Sequence, residues 1–173
     1  MKFNLLDTID TLSDTKIVAS KSVSLAEEYL VDHFPTFPVL PGVLMIEALV
    51  QSASWLLFHR SNFSKSIAVL KEARNVRYGQ FVAPGNTLKV EVELLKETDS
   101  GATFKAVGVV YQPGIARGEQ ALSARIELAY FSLAEKSGDP NHRELDQKII
   151  AHNKFRWNVI TASGMKLPQG VQI

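Results

Sequence analysis

Two spacings of hydrophobic residues divide the chain. Between residues 43 and 58, apolar side chains cover nearly every direction of a helix, which predicts a helix that is buried on all sides. From about residue 66 apolar and polar positions alternate, which predicts strands over 66–78, 88–96 (with one slip at Leu95), 103–112 and 122–130. A looser alternation over 16–23 predicts a further strand. An antiparallel sheet wrapped around the helix would hide the apolar face of both, so the pattern predicts an α+β fold.

The segments that flank this predicted core have a different character. Prolines recur through residues 33–42, which predicts a stiff, extended stretch leading into the buried helix. Beyond residue 134 a polar linker ends in Asp139-Pro140, a typical helix start, and Phe155 and Trp157 are candidate anchors for the helix that follows. We therefore expect a domain over 1–134 and a C-terminal extension over 135–173, helical and then irregular.

Composition narrows the possible functions. The 173 residues include no cysteine, which excludes disulfides, thiolate zinc sites and a cysteine nucleophile. With 19 basic and 18 acidic residues, the chain has no overall field for nucleic acid. The N-terminus has no secretory signal pattern, and the apolar run 43–58 is short for a membrane span and carries a carboxylate, so we expect a cytoplasmic protein without membrane insertion. The four histidines lack metal-site spacing and no nucleotide-binding glycine motif occurs, so we expect neither metal nor cofactor.

The predicted buried helix carries a narrow polar stripe. Glu47, Gln51 and Ser54 follow the i, i+4, i+7 spacing that places side chains on one helix face. Burying an isolated carboxylate is costly, so Glu47 must be paired, neutralised or open to a cavity. One interpretation is a structural Glu that is hydrogen-bonded to Gln51 or the sheet, or that lies at an interface. The other is a proton donor beside an apolar pocket.

Other candidate residues also have two interpretations each. His33 is either a surface or packing residue or a general base that works near neutral pH. Gly42, at the predicted helix start, either permits a close backbone approach or presents an unpaired amide to an oxyanion. The basic residues Lys71, Arg74 and Arg77 form either a solvated face or a docking site for an acidic carrier.

The proline-rich stretch and the helix together carry a longer signature: His33-Phe34-Pro35-x-x-Pro38-Val39-x-Pro41-Gly42-Val43-Leu44-x-x-Glu47-Ala48-x-x-Gln51. It resembles the active-site motif of the β-hydroxyacyl-acyl-carrier-protein dehydratases. A second stretch, Phe81-Val82-x-Pro84-Gly85-Asn86-x-Leu88, is similar to the family's Pro-Gly-Asp-x-Leu segment, with Asn86 in the Asp place. The resemblance runs from about residue 5 to 131 and implies the hotdog fold, an antiparallel sheet around one long apolar helix.

The resemblance also implies a role for each matching residue. His33 matches the catalytic histidine, Glu47 the catalytic carboxylate, and Gly42 the glycine whose amide holds the thioester carbonyl. Three further motif residues are expected to support the site: Phe34, Pro41 and Gln51. The implied activity is dehydration of β-hydroxyacyl thioesters on acyl carrier protein to trans-2-enoyl thioesters in fatty acid or related acyl-chain biosynthesis. In the family the His and Glu of one site come from different subunits, which implies a homodimer, or a hexamer built as a trimer of dimers.

Two positions depart from the family pattern. Asp32 and Thr36 stand where the family has glycine, on either side of the histidine segment, and they indicate an altered substrate length or lost activity. The alternatives are therefore another hotdog enzyme acting on acyl thioesters, such as a coenzyme A hydratase or a thioesterase, and a non-catalytic protein that binds acyl carrier protein. Retention of both His33 and Glu47 counts against the thioesterase.

Overall fold

The computed structural model describes residues 4–34 and 36–162, with only the backbone of Asp32. Within these ranges six strands and four helices follow one another: β1 (Thr8–Leu12), β2 (Lys16–Ser22), α1 (Tyr29–Asp32), α2 (Gly42–Arg60), β3 (Ile67–Tyr78), β4 (Thr87–Thr98), β5 (Gly101–Tyr111), β6 (Glu119–Phe131), α3 (Leu133–Ser137) and α4 (His142–Ala162). The order agrees with the two spacings in the sequence, since α2 covers the apolar run and β3–β6 cover the alternating segments.

All neighbouring strands pair antiparallel, in the order β1-β2-β4-β5-β6-β3. Strands β1 and β3 therefore form the two edges of the sheet. The sheet wraps around α2, which packs against five of the six strands. This is the architecture of the hotdog fold, and the predicted α+β class is confirmed.

The central helix α2 is apolar on nearly all sides, and the sheet that wraps around it buries most of these side chains. Met45, Leu49, Leu56 and Leu57 are among its buried side chains. Length and hydropathy alone would let α2 cross a membrane, yet 56% of that apolar window is buried within the protein. Its composition is therefore that of a core helix.

The slip predicted at Leu95 is a β-bulge. The pairing of β4 with β5 shifts register between Leu94 and Lys96, and Leu95 is exposed. An extra residue in one strand restores the alternation on the far side of the bulge, so the buried set stays on the same face of the sheet. Strand β1 was not predicted from the pattern.

Helix α4 packs back onto the core. Trp157 lies against Trp55, with ring centroids 5.9 Å apart, and Ile160 is buried in the same cluster. Asp146 is also buried and accepts hydrogen bonds from the Leu133 amide (2.9 Å), the Ala134 amide (3.0 Å) and the Ser66 hydroxyl.

Of the two predicted anchors, Trp157 is confirmed and Phe155 is wrong, because Phe155 is 66% exposed. The division between a domain over 1–134 and an extension over 135–173 stays a prediction, and residues 163–173 lie outside the described part of the chain.

Candidate active site

A groove of about 280 Å³ runs between α2, the start of β3 and α4. Its α2 wall contains the entire predicted polar stripe, Glu47, Gln51 and Ser54, together with apolar side chains. The remaining lining residues of this wall and of the floor are Val50, Trp55, Phe58, Ser66, Ile67, Ala68 and Val69. The groove therefore places one carboxylate beside a mostly apolar channel along the core helix.

The Glu47 side chain has a fixed partner. Gln51 donates from Nε2 to Glu47 Oε1 at 3.0 Å, and Gln51 Oε1 accepts the Leu5 amide at 3.0 Å. Because the Leu5 amide can only donate, it determines which end of the Gln51 amide faces the carboxylate. The hydrogen bond to Gln51 confirms the structural interpretation of Glu47. Because Glu47 also lines the groove, the interpretation as a proton donor stays open. The third residue of the stripe, Ser54, donates to the Val50 carbonyl at 2.8 Å.

The start of α2 is tightly built. The buried Pro41 carbonyl accepts the amides of Leu44 (2.9 Å) and Met45 (3.0 Å). A side chain at Gly42 would place its Cβ 2.9 Å from Cε1 of Tyr78, so the Tyr78 ring occupies the space that any larger residue needs. Of the first four amides of α2, those of Gly42 and Val43 have no hydrogen-bond partner among the described residues, so these two are the amides placed to bind an oxyanion.

His33 lies just after α1 and is half-buried, with its ring centroid 4.4 Å from that of Phe34. Phe34 adopts a positive φ of 49°, which is unusual for a bulky residue, and its carbonyl accepts the Phe37 amide at 2.8 Å. Among the described residues of one chain, no hydrogen bond joins His33 to Glu47, and His33 does not line the groove. A single chain thus brings Glu47 and Gln51 together and leaves His33 apart.

The three basic residues lie on the edge strand β3. Lys71 pairs with Glu127 at 2.6 Å, and that hydrogen bond raises the pKa of Lys71. Arg74 pairs with Glu72 at 2.6 Å, and the same interaction raises the pKa of Arg74. Arg77 is exposed and has no ion pair among the described residues. Two of the three charges are thus already partly satisfied within the chain.

The third wall of the groove was not predicted from the sequence; it comes from α4 and consists of Ile149, Asn153 and Arg156. The guanidinium of Arg156 lies over the Trp55 ring, 5.7 Å from its centroid, and burial lowers the pKa of Arg156. The i, i+4, i+7 spacing of these three residues was present in the sequence. Nothing in that spacing indicated that this face of α4 would meet the polar stripe of α2.

Comparison with known proteins agrees with this architecture. The FabA-like domain family matches residues 1–125. The chain is 36% identical over 108 residues to a 3-hydroxyacyl-[acyl-carrier-protein] dehydratase FabZ of Clostridium perfringens, covering 62% of this chain and 78% of that one. It is 36% identical over 115 residues to the FabZ of Pediococcus pentosaceus, covering 66% of this chain and 77% of that one.

Solved structures show the same fold. The dehydratase heterocomplex ApeI:P of Xenorhabdus doucetiae superposes with a TM-score of 0.63 at 20% identity, covering 79% of this chain and 88% of that one. A hypothetical thioesterase of Streptococcus pneumoniae, solved with coenzyme A, gives a TM-score of 0.51 at 12% identity and covers 72% and 84%. Helices α3 and α4 lie beyond the family match. The signature that runs from His33 to Gln51, across the proline stretch and the core helix, predicted this family, and the chain belongs to the FabA-like domain family.

Proposed function

We propose that the protein is a hydro-lyase that dehydrates β-hydroxyacyl thioesters on acyl carrier protein to trans-2-enoyl thioesters in fatty acid or related acyl-chain biosynthesis. The observation that carries this proposal is Glu47, a carboxylate held by Gln51 in a mostly apolar groove along the core helix. The FabZ relatives support it, because each is named as a 3-hydroxyacyl-acyl-carrier-protein dehydratase.

The reaction needs a base, an acid and an oxyanion site. His33 removes the α-proton, and the electron pair of the broken C–H bond forms the new double bond as the Cβ–O bond breaks. Glu47 delivers a proton to the departing hydroxyl, which leaves as water. The Gly42 amide binds the thioester oxygen while negative charge accumulates on it. After the product leaves, the proton taken by His33 returns to Glu47 through water, and both residues are reset.

A second copy of the chain supplies His33 to the groove that contains Glu47. Two features of the single chain support this arrangement. His33 and Glu47 are not joined within the described residues of one chain, and the edge strand β3 leaves its outer backbone groups unpaired within the same residues. Exposed strand edges and apolar patches are where chains associate. A homodimer is the smallest complete assembly, and a trimer of such dimers would keep every site intact.

An acidic carrier protein in the cytoplasm would present the acyl group. Of the three basic residues proposed as its docking site, Arg77 has the most accessible charge, because Lys71 and Arg74 already pair with Glu127 and Glu72. Charges at the rim of an interface act mainly on the association rate. Docking at this site would therefore weaken steeply as salt concentration rises.

The test is an absorbance assay for the enoyl thioester, run with β-hydroxyacyl groups on carrier protein and on coenzyme A. We expect turnover by the wild type, and a loss of about 10²-fold or more for both His33→Ala and Glu47→Gln with unchanged thermal unfolding. His152→Ala and Glu144→Gln remove an exposed histidine and an exposed carboxylate from α4, and they should retain full activity.

Other outcomes separate the alternatives. Release of free acid without enoyl product would identify a thioesterase. Binding of acyl carrier protein without any turnover would identify a non-catalytic relative. Wild-type activity in both site variants would refute the roles given to His33 and Glu47.

A further inference from the structure

The groove beside Glu47 has a wall that the family match does not include. Ile149, Asn153 and Arg156 project into it from α4, whereas the FabA-like match ends at residue 125. Any substrate selectivity that this wall confers therefore comes from residues outside the family match. Asn153 also donates weakly to the Ser66 carbonyl at 3.5 Å, which links the wall to the groove floor.

Arg156 is the basic residue among those that line the groove, and it is unusually placed. Its guanidinium lies over Trp55, and the side chain is half-buried. Among the described residues no carboxylate lies within ion-pairing distance of it. By contrast, Arg60 pairs with Glu97 at 2.8 Å, and Lys148, on α4 itself, pairs with Glu144 at 2.7 Å.

The two charged groups of the groove lie well apart along α2. Glu47 and Trp55, on which Arg156 rests, are eight residues apart, which corresponds to about 12 Å of helix rise. An acyl group that reacts at Glu47 would extend along Val50 toward Trp55, so its distal end would reach Arg156. A methyl end would displace water from the guanidinium without forming any hydrogen bond to it, which is energetically unfavourable. A carboxylate end would replace that water with charge-assisted, two-pronged hydrogen bonds.

We propose that Arg156 is a specificity-determining residue that selects acyl chains ending in a carboxylate. This inference rests on the proposed function, because it takes the reacting end of the chain to lie at Glu47. The apolar middle of the groove accommodates the methylene groups, and α4 terminates the groove with a cation. Substrates of this class are dicarboxylic acyl groups, held as a thioester at one end and free at the other.

The experiment compares two thioester substrates of equal length, 3-hydroxyoctanoyl and the monothioester of 3-hydroxyoctanedioic acid. We expect the wild type to have the higher kcat/KM for the carboxylate-ended substrate. Arg156→Met keeps the aliphatic stem over Trp55 and removes the charge. It should reduce the carboxylate-to-methyl ratio of kcat/KM by about ten-fold, the effect of one lost charge-assisted interaction.

Lys148→Met is the matched control, because it removes an exposed cation from the same helix and should leave the ratio unchanged. Arg156→Lys keeps the charge without the planar fork, and an intermediate ratio would support two-pronged binding. A wild-type preference for the methyl end, or a ratio that Arg156→Met leaves unaltered, would overturn the proposal while the dehydratase activity stood.

A binding measurement keeps the inference testable if the activity itself fails. Calorimetry with methyl octanoate and monomethyl octanedioate as probes needs no turnover, and both probes carry a neutral ester in place of the thioester, so that only the second has a carboxylate. Tighter binding of monomethyl octanedioate to the wild type, lost in Arg156→Met, would support the cation's role even if no enoyl product formed. Equal binding of the two probes by both proteins would overturn it.

Discussion

At its C-terminal end α2 is enclosed by aromatic side chains of its own chain, whereas at its N-terminal end it is surrounded by apolar side chains that face solvent. At the closed end Trp55 contacts Trp157, and Phe58 stacks on Phe63 with centroids 6.1 Å apart. His59 also stacks on Trp157, with centroids 5.2 Å apart. This end is complete within one chain.

The open end carries exposed aromatic and aliphatic residues next to the signature: Phe34, Phe37, Val43, Tyr78 and Phe81. Phe37 and Phe81 contact each other edge to face, 5.5 Å apart, so the patch is contiguous in part. Contiguous exposed apolar surface is typical of an interface. The comparison teaches that the intrachain packing of α2 is concentrated at the α4 end, whereas the N-terminal end leaves exposed the apolar surface that the proposed homodimer requires.

The largest expected effect comes from mixing two inactive variants that break the open end in different places. If each site takes His33 from one copy and Glu47 from the other, a mixed dimer of His33→Ala and Glu47→Gln contains one intact site and one doubly damaged site. Random exchange should then restore about a quarter of wild-type activity, since half of the dimers are mixed and each has one working site. The measurement is enoyl thioester formation after co-refolding the two variants.

Co-refolding each variant with a tagged copy of itself is the control and should restore nothing. A mixture that stays inactive although mass spectrometry detects mixed dimers would mean that His33 and Glu47 of a site do not come from different copies.

The next effect is on the closed end and on stability. Trp157→Ala removes the ring that contacts Trp55 and His59, and we expect it to lower the free energy of unfolding by about 2–4 kcal/mol. Phe155→Ala deletes a mostly exposed ring of the same helix and should change it by about 0.5 kcal/mol or less. Urea unfolding measures both, and equal losses would show that α4 does not depend on this packing.

These two aromatic residues show where the sequence stops being informative. Positions two apart on a helix point in nearly opposite directions, so Phe155 and Trp157 could not both be anchors. Choosing between them required knowing which face of α4 meets the core. The same gap hid Arg156 and Asp146, because helical spacing tells which residues share a face and not what that face contacts.

Local patterns were sufficient where the physical cause is local. The apolar run specified α2 because a helix without a polar face must be surrounded. The i, i+4 spacing of Glu47 and Gln51 placed their side chains within hydrogen-bonding reach, as observed at 3.0 Å. The proposed pairing of His33 with Glu47 requires contact between two copies, which no local pattern in one chain specifies, so it stays a prediction. Strand β1, five residues long, is too short for alternation to stand out.

Asp146 offers a smaller, pH-dependent test of the closed end. Burial alone would raise the pKa of Asp146, but hydrogen bonds from Ser66, Ala134 and Leu133 outweigh it and hold that pKa below 3.8. Stability from this carboxylate is therefore fully present above about pH 3.8 and is lost as pH falls through the lower, folded pKa. Asp146→Asn should lower the free energy of unfolding at neutral pH by about 1–3 kcal/mol, with the difference from wild type shrinking in acid.

Glu144→Gln, at an exposed carboxylate of the same helix, should leave the unfolding curve unchanged at both pH values. A deficit in Asp146→Asn that persists undiminished in strong acid would mean that the lost charge is not its cause.

The smallest effect separates stacking from charge at His59. Burial against Trp157 lowers the pKa of His59 and Asp14 opposes that shift, so the folded protein favours the neutral ring more than the unfolded chain does. The stacked neutral ring therefore stabilises the protein above about pH 6.5, and this contribution declines as pH falls through 6.5 toward the lower folded pKa. His59→Phe keeps an aromatic ring on Trp157 and removes the titration, so the melting temperature of the variant should fall less than that of the wild type on acidification.

Because the His59 ring is partly exposed to solvent, this difference in melting temperature should correspond to a smaller stability change than the one expected for Asp146→Asn. Parallel melting curves for the two proteins across that range would mean that protonation of His59 does not loosen the closed end of α2.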